Sequence, residues 1–403
     1  MPATNPIWGE LDSLLERRQA EGLDRHRKCW VPRSPRLIVS DDGCSLVHFG
    51  SNDYLCLGWS GEQESSVDDG ASGDCNHADY NDRNYKAGRY GAGASPSISG
   101  HTPDHEALVS DLALLCGAED AVLFPSGYSA NVGAVSALAG ESDVIFSDRL
   151  NHASLIDGCR LSKARVVVYP HGDLVELEKL IRTHRNQGKR GFIVTDSVFS
   201  MDGDLADLRR VVELCEQFDL TAIVDEAHAT GVYGNQGGGL VKHLGILSDR
   251  VVKIGTLSKS IGAIGGFVAG PRVLTRWLVN FARPYIYSTS LPIPVVQFAR
   301  RSIRLLKKME MQRVQLRESS LRLRAALRDH GHRVGRGDSP IVSIYAPGVE
   351  AVVAWSKRLR ECGLYVPAIR PPTVPVDSCL LRVSLNLSHT EEDLRMLVEA
   401  CRF

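Results

Sequence analysis

Between about residue 104 and residue 270, short runs rich in Val and Ile alternate with longer amphipathic stretches. The runs at 121–124, 144–146, 165–169, 192–195, 221–225, 251–254 and 266–269 are almost continuously apolar, as strands buried on both faces should be. The stretches at 105–116, 128–138, 152–161, 174–184 and 208–218 carry helical periodicity. Strands alternating with helices predict an α/β fold whose mainly parallel sheet is flanked by helices on both sides.

The flanking regions differ in texture. Residues 9–28 read as an amphipathic helix with an arginine-rich end, followed by a short strand at 46–49. Residues 60–90 are rich in Gly, Ser, Asp and Asn, nearly free of aliphatics and without a period, which predicts a loop. After 292 a long basic helix is expected from about 296 to 330. Strand 341–345, helix 349–362, strand 380–385 and helix 391–401 follow it. The expected division is an N-terminal helix and strand segment (1–50), a large cofactor-binding domain (51–291) and a smaller α+β domain (292–403).

In a parallel sheet, ligands gather at the carboxyl ends of strands. Run 221–225 ends in Asp225-Glu226-Ala227-His228, and Lys259 follows the next run. A lysine to condense with a carbonyl, an acid to keep a ring nitrogen protonated and a histidine near a ring oxygen would hold an aromatic aldehyde cofactor. Asp-Glu-Ala-His also spells the acidic box of a nucleic-acid helicase. The stretch Gly255 to Ser260 lacks the glycine that a phosphate loop needs directly before its lysine, and it lies after the box rather than before it. Taken singly, Asp225 and His228 could be turn polars and Lys259 a solvated lysine. Gly127 and Tyr128 open a helix whose free N–H groups suit a phosphate, although Ser-Gly at such a place is usually only a cap. His152 opens another helix, as a cap or as a ring stacked on a flat cofactor. Ser200 sits in an acidic turn that either merely reverses the chain or reaches a ring oxygen.

A net charge of −1 over 403 residues gives no field that would steer the chain to nucleic acid or an anionic membrane. No apolar run approaches the roughly 18 residues of a membrane span. No basic segment followed by an apolar core marks a secretory signal at the N-terminus. The ten cysteines are scattered and none forms a Cys-x-x-Cys pair, which predicts reduced core thiols, no metal site and a cytoplasmic setting.

Several motifs carry a resemblance. Residues 151–158 (Asn-His-Ala-Ser-Leu-Ile-Asp-Gly), 198–204 (Val-Phe-Ser-Met-Asp-Gly-Asp), 225–232 (Asp-Glu-Ala-His-Ala-Thr-Gly-Val) and 256–259 (Thr-Leu-Ser-Lys) resemble the α-oxoamine synthases. Residues 51–55 and 287–292 extend the match, which runs from about residue 8 to 400. These are pyridoxal-phosphate enzymes of the aspartate-aminotransferase fold. The resemblance implies that Lys259 is the Schiff-base lysine, that Asp225 pairs with the pyridinium nitrogen and that His152 stacks on the ring. It places His228 and Ser200 at the phenolic oxygen, and Gly127, Tyr128 and Thr256 at the phosphate. It further implies that Ser288 and Thr289 complete the phosphate site of a partner subunit, so that two sites are shared in a homodimer. Arg382 would hold the amino-acid carboxylate, Asn52 would bind substrate, and Arg370, Thr373 and Arg25 would meet the acyl substrate.

The stretch 368–375 (Ala-Ile-Arg-Pro-Pro-Thr-Val-Pro), followed by 381–385, is similar to that of the members which condense L-alanine with a pimeloyl thioester, CoA- or carrier-protein-linked. The alternatives are members using glycine with acetyl-CoA or serine with a long-chain acyl-CoA. A catalytically silent subunit would lack Lys259. Segment 61–89 departs from the family pattern, being longer, acidic and polar, and Gly91–Ser97 keeps the glycine-rich loop in altered form.

Overall fold

The computed structural model describes residues 6–25, 27–59 and 90–402; the polar segment 61–89 lies outside the described residues. The chain opens with a helix at Pro6–Ala20, then strands β1 (Trp30–Ser34), β2 (Leu37–Ser40) and β3 (Ser45–His48). The central strands are β4 (Asp120–Phe124), β5 (Val144–Asp148), β6 (Arg165–Tyr169), β7 (Gly191–Asp196), β8 (Thr221–Asp225), β9 (Val251–Thr256) and β10 (Gly266–Gly270). The last part holds β11 (Ile341–Tyr345), β12 (Leu364–Tyr365), β13 (Ala368–Ile369) and β14 (Leu380–Ser384).

The seven central strands form one sheet in the order β4-β10-β9-β8-β7-β5-β6. Every pairing from β9 through β8, β7 and β5 to β6 is parallel; β10 runs antiparallel to both of its neighbours. Successive side chains leave a strand on opposite faces. Val144 and Phe146 of β5 accordingly enter one apolar core while Ile145 enters the other, and Ala222 and Val224 of β8 part from Ile223 in the same way. Two packed faces explain why these runs read as continuous rather than alternating.

Local chemistry sets the helix starts. Asp173 accepts from Glu176 N–H and Asp207 from Arg210 N–H, each capping the helix that follows. Two expectations are corrected. The first helix stops at Ala20 rather than running to 28, because the chain turns through Gly22 at φ +64° and Leu23 N–H bonds back to Arg18 O at 2.8 Å. The long helix is two helices, Ile293–Leu306 and Glu310–Asp329, and between them the Leu306 carbonyl accepts from Met309 N–H at 3.1 Å and from Arg313 Nη1 at 2.6 Å.

The small sheets position the remaining site residues. β12 pairs in parallel with β3, so the N-terminal strands and the last third of the chain share a sheet. β14 lies between β11 and β13, with Arg382 opposite Ser343. Among the described residues no helix is long and apolar enough to cross a membrane, and no group of three His, Cys, Asp or Glu could hold a metal ion.

Candidate active site

The carboxyl ends of β4, β5, β7, β8 and β9 meet the start of β10 along one rim of the sheet. Asp225 ends β8 and is buried. Its Oδ2 accepts from Asn131 Nδ2 at 2.6 Å and its Oδ1 from Ala227 N–H at 2.7 Å. Asn131 Nδ2 also donates to Ser154 Oγ, and Ser154 Oγ lies 2.7 Å from His152 Nδ1. One amide thus ties the carboxylate to the imidazole across two strand ends.

His152 is placed by its own backbone. Its N–H donates to Asp196 Oδ2 at 2.8 Å, and it caps the helix Ala153–Ser162 by accepting from Ser154 N–H. The ring remains open to solvent, as a stacking face must be. Desolvation by the protein packed around it lowers its pKa, with Asp225 opposing and Lys259 adding. Asp196 is driven well above the usual carboxylate range by burial and by neighbouring Asp225.

Lys259 follows β9 and is half-buried. Burial pushes its amine down to about 8, against the pull of Asp225 and Asp196, with the positive charge of Arg382 adding to the fall. The turn after it needs glycine: Gly262 has φ +75°, and a Cβ there would lie 2.1 Å from Gly58 N. That approach seats the Asn52–Gly58 turn on the lysine turn.

At the other end of the rim, Ser126 Oγ accepts from Ser129 N–H and caps the helix Gly127–Leu138. A Cβ on Gly127 would fall 3.0 Å from Thr256 Cβ. Gly127 therefore leaves a cradle between the helix N-terminus and Thr256, where N–H groups suit an anion. Thr256 Oγ1 donates to Gly265 O at 2.9 Å and accepts from Ser258 N–H at 3.2 Å. The exposed Tyr128 ring stands edge-on to His152 with centroids 6.4 Å apart, its hydroxyl bonded to Asp157.

Opposite the rim, buried Arg382 of β14 donates to Ser200 O at 2.5 Å, Ser384 Oγ at 2.7 Å and Asn52 Oδ1 at 3.1 Å. A guanidinium has five N–H donors, so two remain for a carboxylate among the described residues. Ser200 contributes its carbonyl to this contact. His228 is buried, and burial, then Lys259, Arg382 and His152, hold its pKa well below the usual value.

The residues expected to meet the acyl substrate bond to one another and to nearby backbone. Arg25 Nη2 donates to Thr373 Oγ1 at 2.8 Å, and Arg370 Nη2 to Asp24 O at 2.9 Å. Ser288 and Thr289 line a different cavity, of about 270 Å³, with His101, Glu106 and Tyr285. Sequence reasoning missed Asn131, Ser154, Asp196 and Tyr54. Ser154 sits in the quoted motif 151–158 and Asn131 in the helical stretch 128–138, where both read as helix polars, and Tyr54 beside Leu55 reads as core.

Three comparisons bear on this geometry. Residues 71–401 match the aminotransferase class I and II family. An 8-amino-7-oxononanoate synthase of Methylobacillus flagellatus is 39% identical over 402 residues, covering 98% of this chain and 96% of the relative. Among solved structures, serine palmitoyltransferase of S. paucimobilis with PLP and myriocin bound superposes with a TM-score of 0.86 at 27% identity, covering 99% of this chain and 98% of that one. An 8-amino-7-oxononanoate synthase from Francisella tularensis gives 0.73 at 27% identity, covering 89% and 97%. By sequence over nearly its whole length and by fold, this chain belongs to the aminotransferase class I and II family.

Proposed function

We propose that the chain is a pyridoxal-phosphate acyltransferase of the 8-amino-7-oxononanoate synthase type, acting in biotin biosynthesis. It joins L-alanine to a pimeloyl thioester. A bond forms between alanine Cα and the thioester carbonyl carbon, the C–S bond breaks to release the thiol, and the alanine carboxyl group leaves as CO2. The observation that carries this reading is Lys259, an amine held near pKa 8, at the strand end beside the buried carboxylate of Asp225.

The residues present fit the cofactor. Asp225 has no arginine or lysine within ion-pair distance among the described residues, and a buried carboxylate calls for a cationic partner such as a pyridinium. The cradle at Gly127 and Thr256 suits the phosphate and the open His152 face suits the ring. Pyridoxal phosphate, when bound, supplies the electron sink for the bonds broken at Cα.

The protein's own groups do the rest. Arg382 and Asn52 hold the amino-acid carboxylate and so set which Cα bond faces the ring. Lys259, part free base at neutral pH, takes the Cα proton and later returns one. His228 and Ser200 serve the phenolic oxygen. Arg25, Arg370 and Thr373 receive the acyl chain.

In this reading Ser288 and Thr289 serve the site of a second copy, which makes the working unit a homodimer in the cytoplasm. The large domain is 51–291 and the smaller one 292–403. The serine palmitoyltransferase likeness supports a second reading, serine with a long acyl chain, but fold similarity does not fix substrate. Purified Lys259→Ala tests the cofactor role. The unaltered protein should take up pyridoxal phosphate and gain a visible absorption band, and the variant should not. A colourless unaltered protein would refute the reading.

A further inference from the structure

Asn52, Tyr54, His228 and Arg382 form one polar cluster beneath the site. Arg382 Nη2 donates to Asn52 Oδ1 at 3.1 Å. The Tyr54 hydroxyl lies 3.3 Å from that same oxygen and 2.7 Å from His228 Nδ1. Tyr54 is 0% exposed, so its hydroxyl must find its partners inside the protein.

A phenol has one proton to give. The imidazole is the nearer acceptor, and Asn52 Oδ1 already takes an N–H from the guanidinium. The His228 ring is neutral, because burial, followed by the charges of Lys259, Arg382 and His152, depresses its pKa. A neutral imidazole carries one proton, and an acceptor role for Nδ1 places that proton on Nε2.

We propose that Tyr54 is a positioning residue: its hydroxyl donates to His228 Nδ1 and fixes the tautomer with the proton on Nε2, within the field of the carboxylate-binding Arg382. The tautomer stands on the protein's own contacts. Its purpose rests on the pyridoxal-phosphate reading above, in which Nε2–H is the donor available to the phenolic oxygen.

The electrostatics act in the same direction. Burial raises the Tyr54 pKa to about 12, and the neighbouring charge of Arg382 opposes that rise. A guanidinium beside a phenol draws electron density from its oxygen and strengthens the O–H as a donor. A carboxylate seated on Arg382 screens this pull, so arrival of the amino acid is felt at His228.

The test is Tyr54→Phe, which keeps the ring and removes only the hydroxyl. Nitrogen NMR of the cofactor-free chain with labelled histidine, its His228 signal assigned by loss in His228→Asn, reads the tautomer directly. The unaltered chain should show Nε2 protonated and Nδ1 bare, and Tyr54→Phe should show a mixture of tautomers. In the cofactor-loaded protein the pH midpoint of the visible band should move upward in Tyr54→Phe, because a phenolate that loses a donor holds its neighbouring proton more tightly. kcat/KM for the amino acid should fall about tenfold. A proton on Nδ1 in the unaltered chain overturns the proposal. So does a Tyr54→Phe variant whose tautomer and band midpoint are unchanged, even if it is less stable. The expected tautomer in a chain that takes up no pyridoxal phosphate upholds the proposed contact and removes the cofactor reading alone.

Discussion

Asp225 has two anchors, Asn131 Nδ2 and Ala227 N–H, and neither is a cation. Asp225→Asn is nearly isosteric. Asn131 Oδ1 is buried without a partner, so a flipped Asn131 amide can accept from the new side chain. The fold should therefore survive with a similar melting temperature, while kcat falls about a hundredfold or more, since an amide cannot keep the ring nitrogen protonated. Equal kcat in steady-state assays of the two proteins would remove Asp225 from the chemistry. Gly127 makes a second residue-scale demand. Valine there drives its Cβ to 3.0 Å from Thr256 Cβ and fills the phosphate cradle. Cofactor affinity, measured by titration of the visible band, should weaken at least about tenfold, roughly 1.4 kcal/mol.

The turn from Ser197 to Asp207 is held from both sides. Ser339 Oγ donates to Gly203 O at 2.5 Å, Ser343 Oγ to Met201 O, and Tyr345 hydroxyl to Asp202 Oδ1 at 2.6 Å. From the large sheet, His171 bridges Asp148 Oδ1 at 3.0 Å and Asp204 Oδ2 at 2.9 Å. Burial would depress the His171 pKa, but hydrogen bonds to Asp148 and Asp204 override it and raise it to about 10. A pKa raised on folding stabilises the folded form fully below the unfolded value near 6.5, and the gain fades as pH climbs through about 10. In urea melts, the stability gap between the unaltered protein and His171→Asn should be widest between about pH 5 and 6.5 and should shrink steadily toward pH 10. A gap independent of pH would show that His171 is not a charged bridge.

This latch also shows what the sequence could and could not reveal. Strand 165–169 and helix 174–184 were legible because apolar periodicity is local. Lys259, Asp225 and His152 were legible because strand ends in an alternating chain point to one rim. His171 was not, because its partners lie 23 and 33 positions away and only the fold joins them. Strand β1 was missed for another reason: residues 30–34 are mostly exposed and carry Pro32 and Arg33, so they lack an apolar run. The break near Lys307 was hidden because the helical pattern resumes at once on its far side.

For the whole molecule, a homodimer is the proposed working unit, and the chain carries exposed apolar surface. Ile7, Trp8, Leu11, Leu14 and Leu15 are all exposed on the first helix, at spacings that form one stripe. Tyr287 is also exposed, beside Ser288 and Thr289. Sedimentation should give a dimer. Lys259→Ala and Thr289→Arg should each be inactive alone, yet regain activity when refolded together, because one site of the hybrid keeps both native residues. Failure of the mixture in a dimeric protein would place Ser288 and Thr289 outside the partner's site.

The most direct test is turnover with defined substrates. Cofactor-loaded protein is given alanine, glycine or serine with pimeloyl, acetyl or palmitoyl thioester, and free thiol, CO2 and the amino-ketone product are measured together. Alanine with the pimeloyl thioester should release thiol and CO2 in equal amounts and yield 8-amino-7-oxononanoate, with the other pairs far slower. Turnover only with glycine and acetyl-CoA, or only with serine and the palmitoyl thioester, would contradict the proposed function.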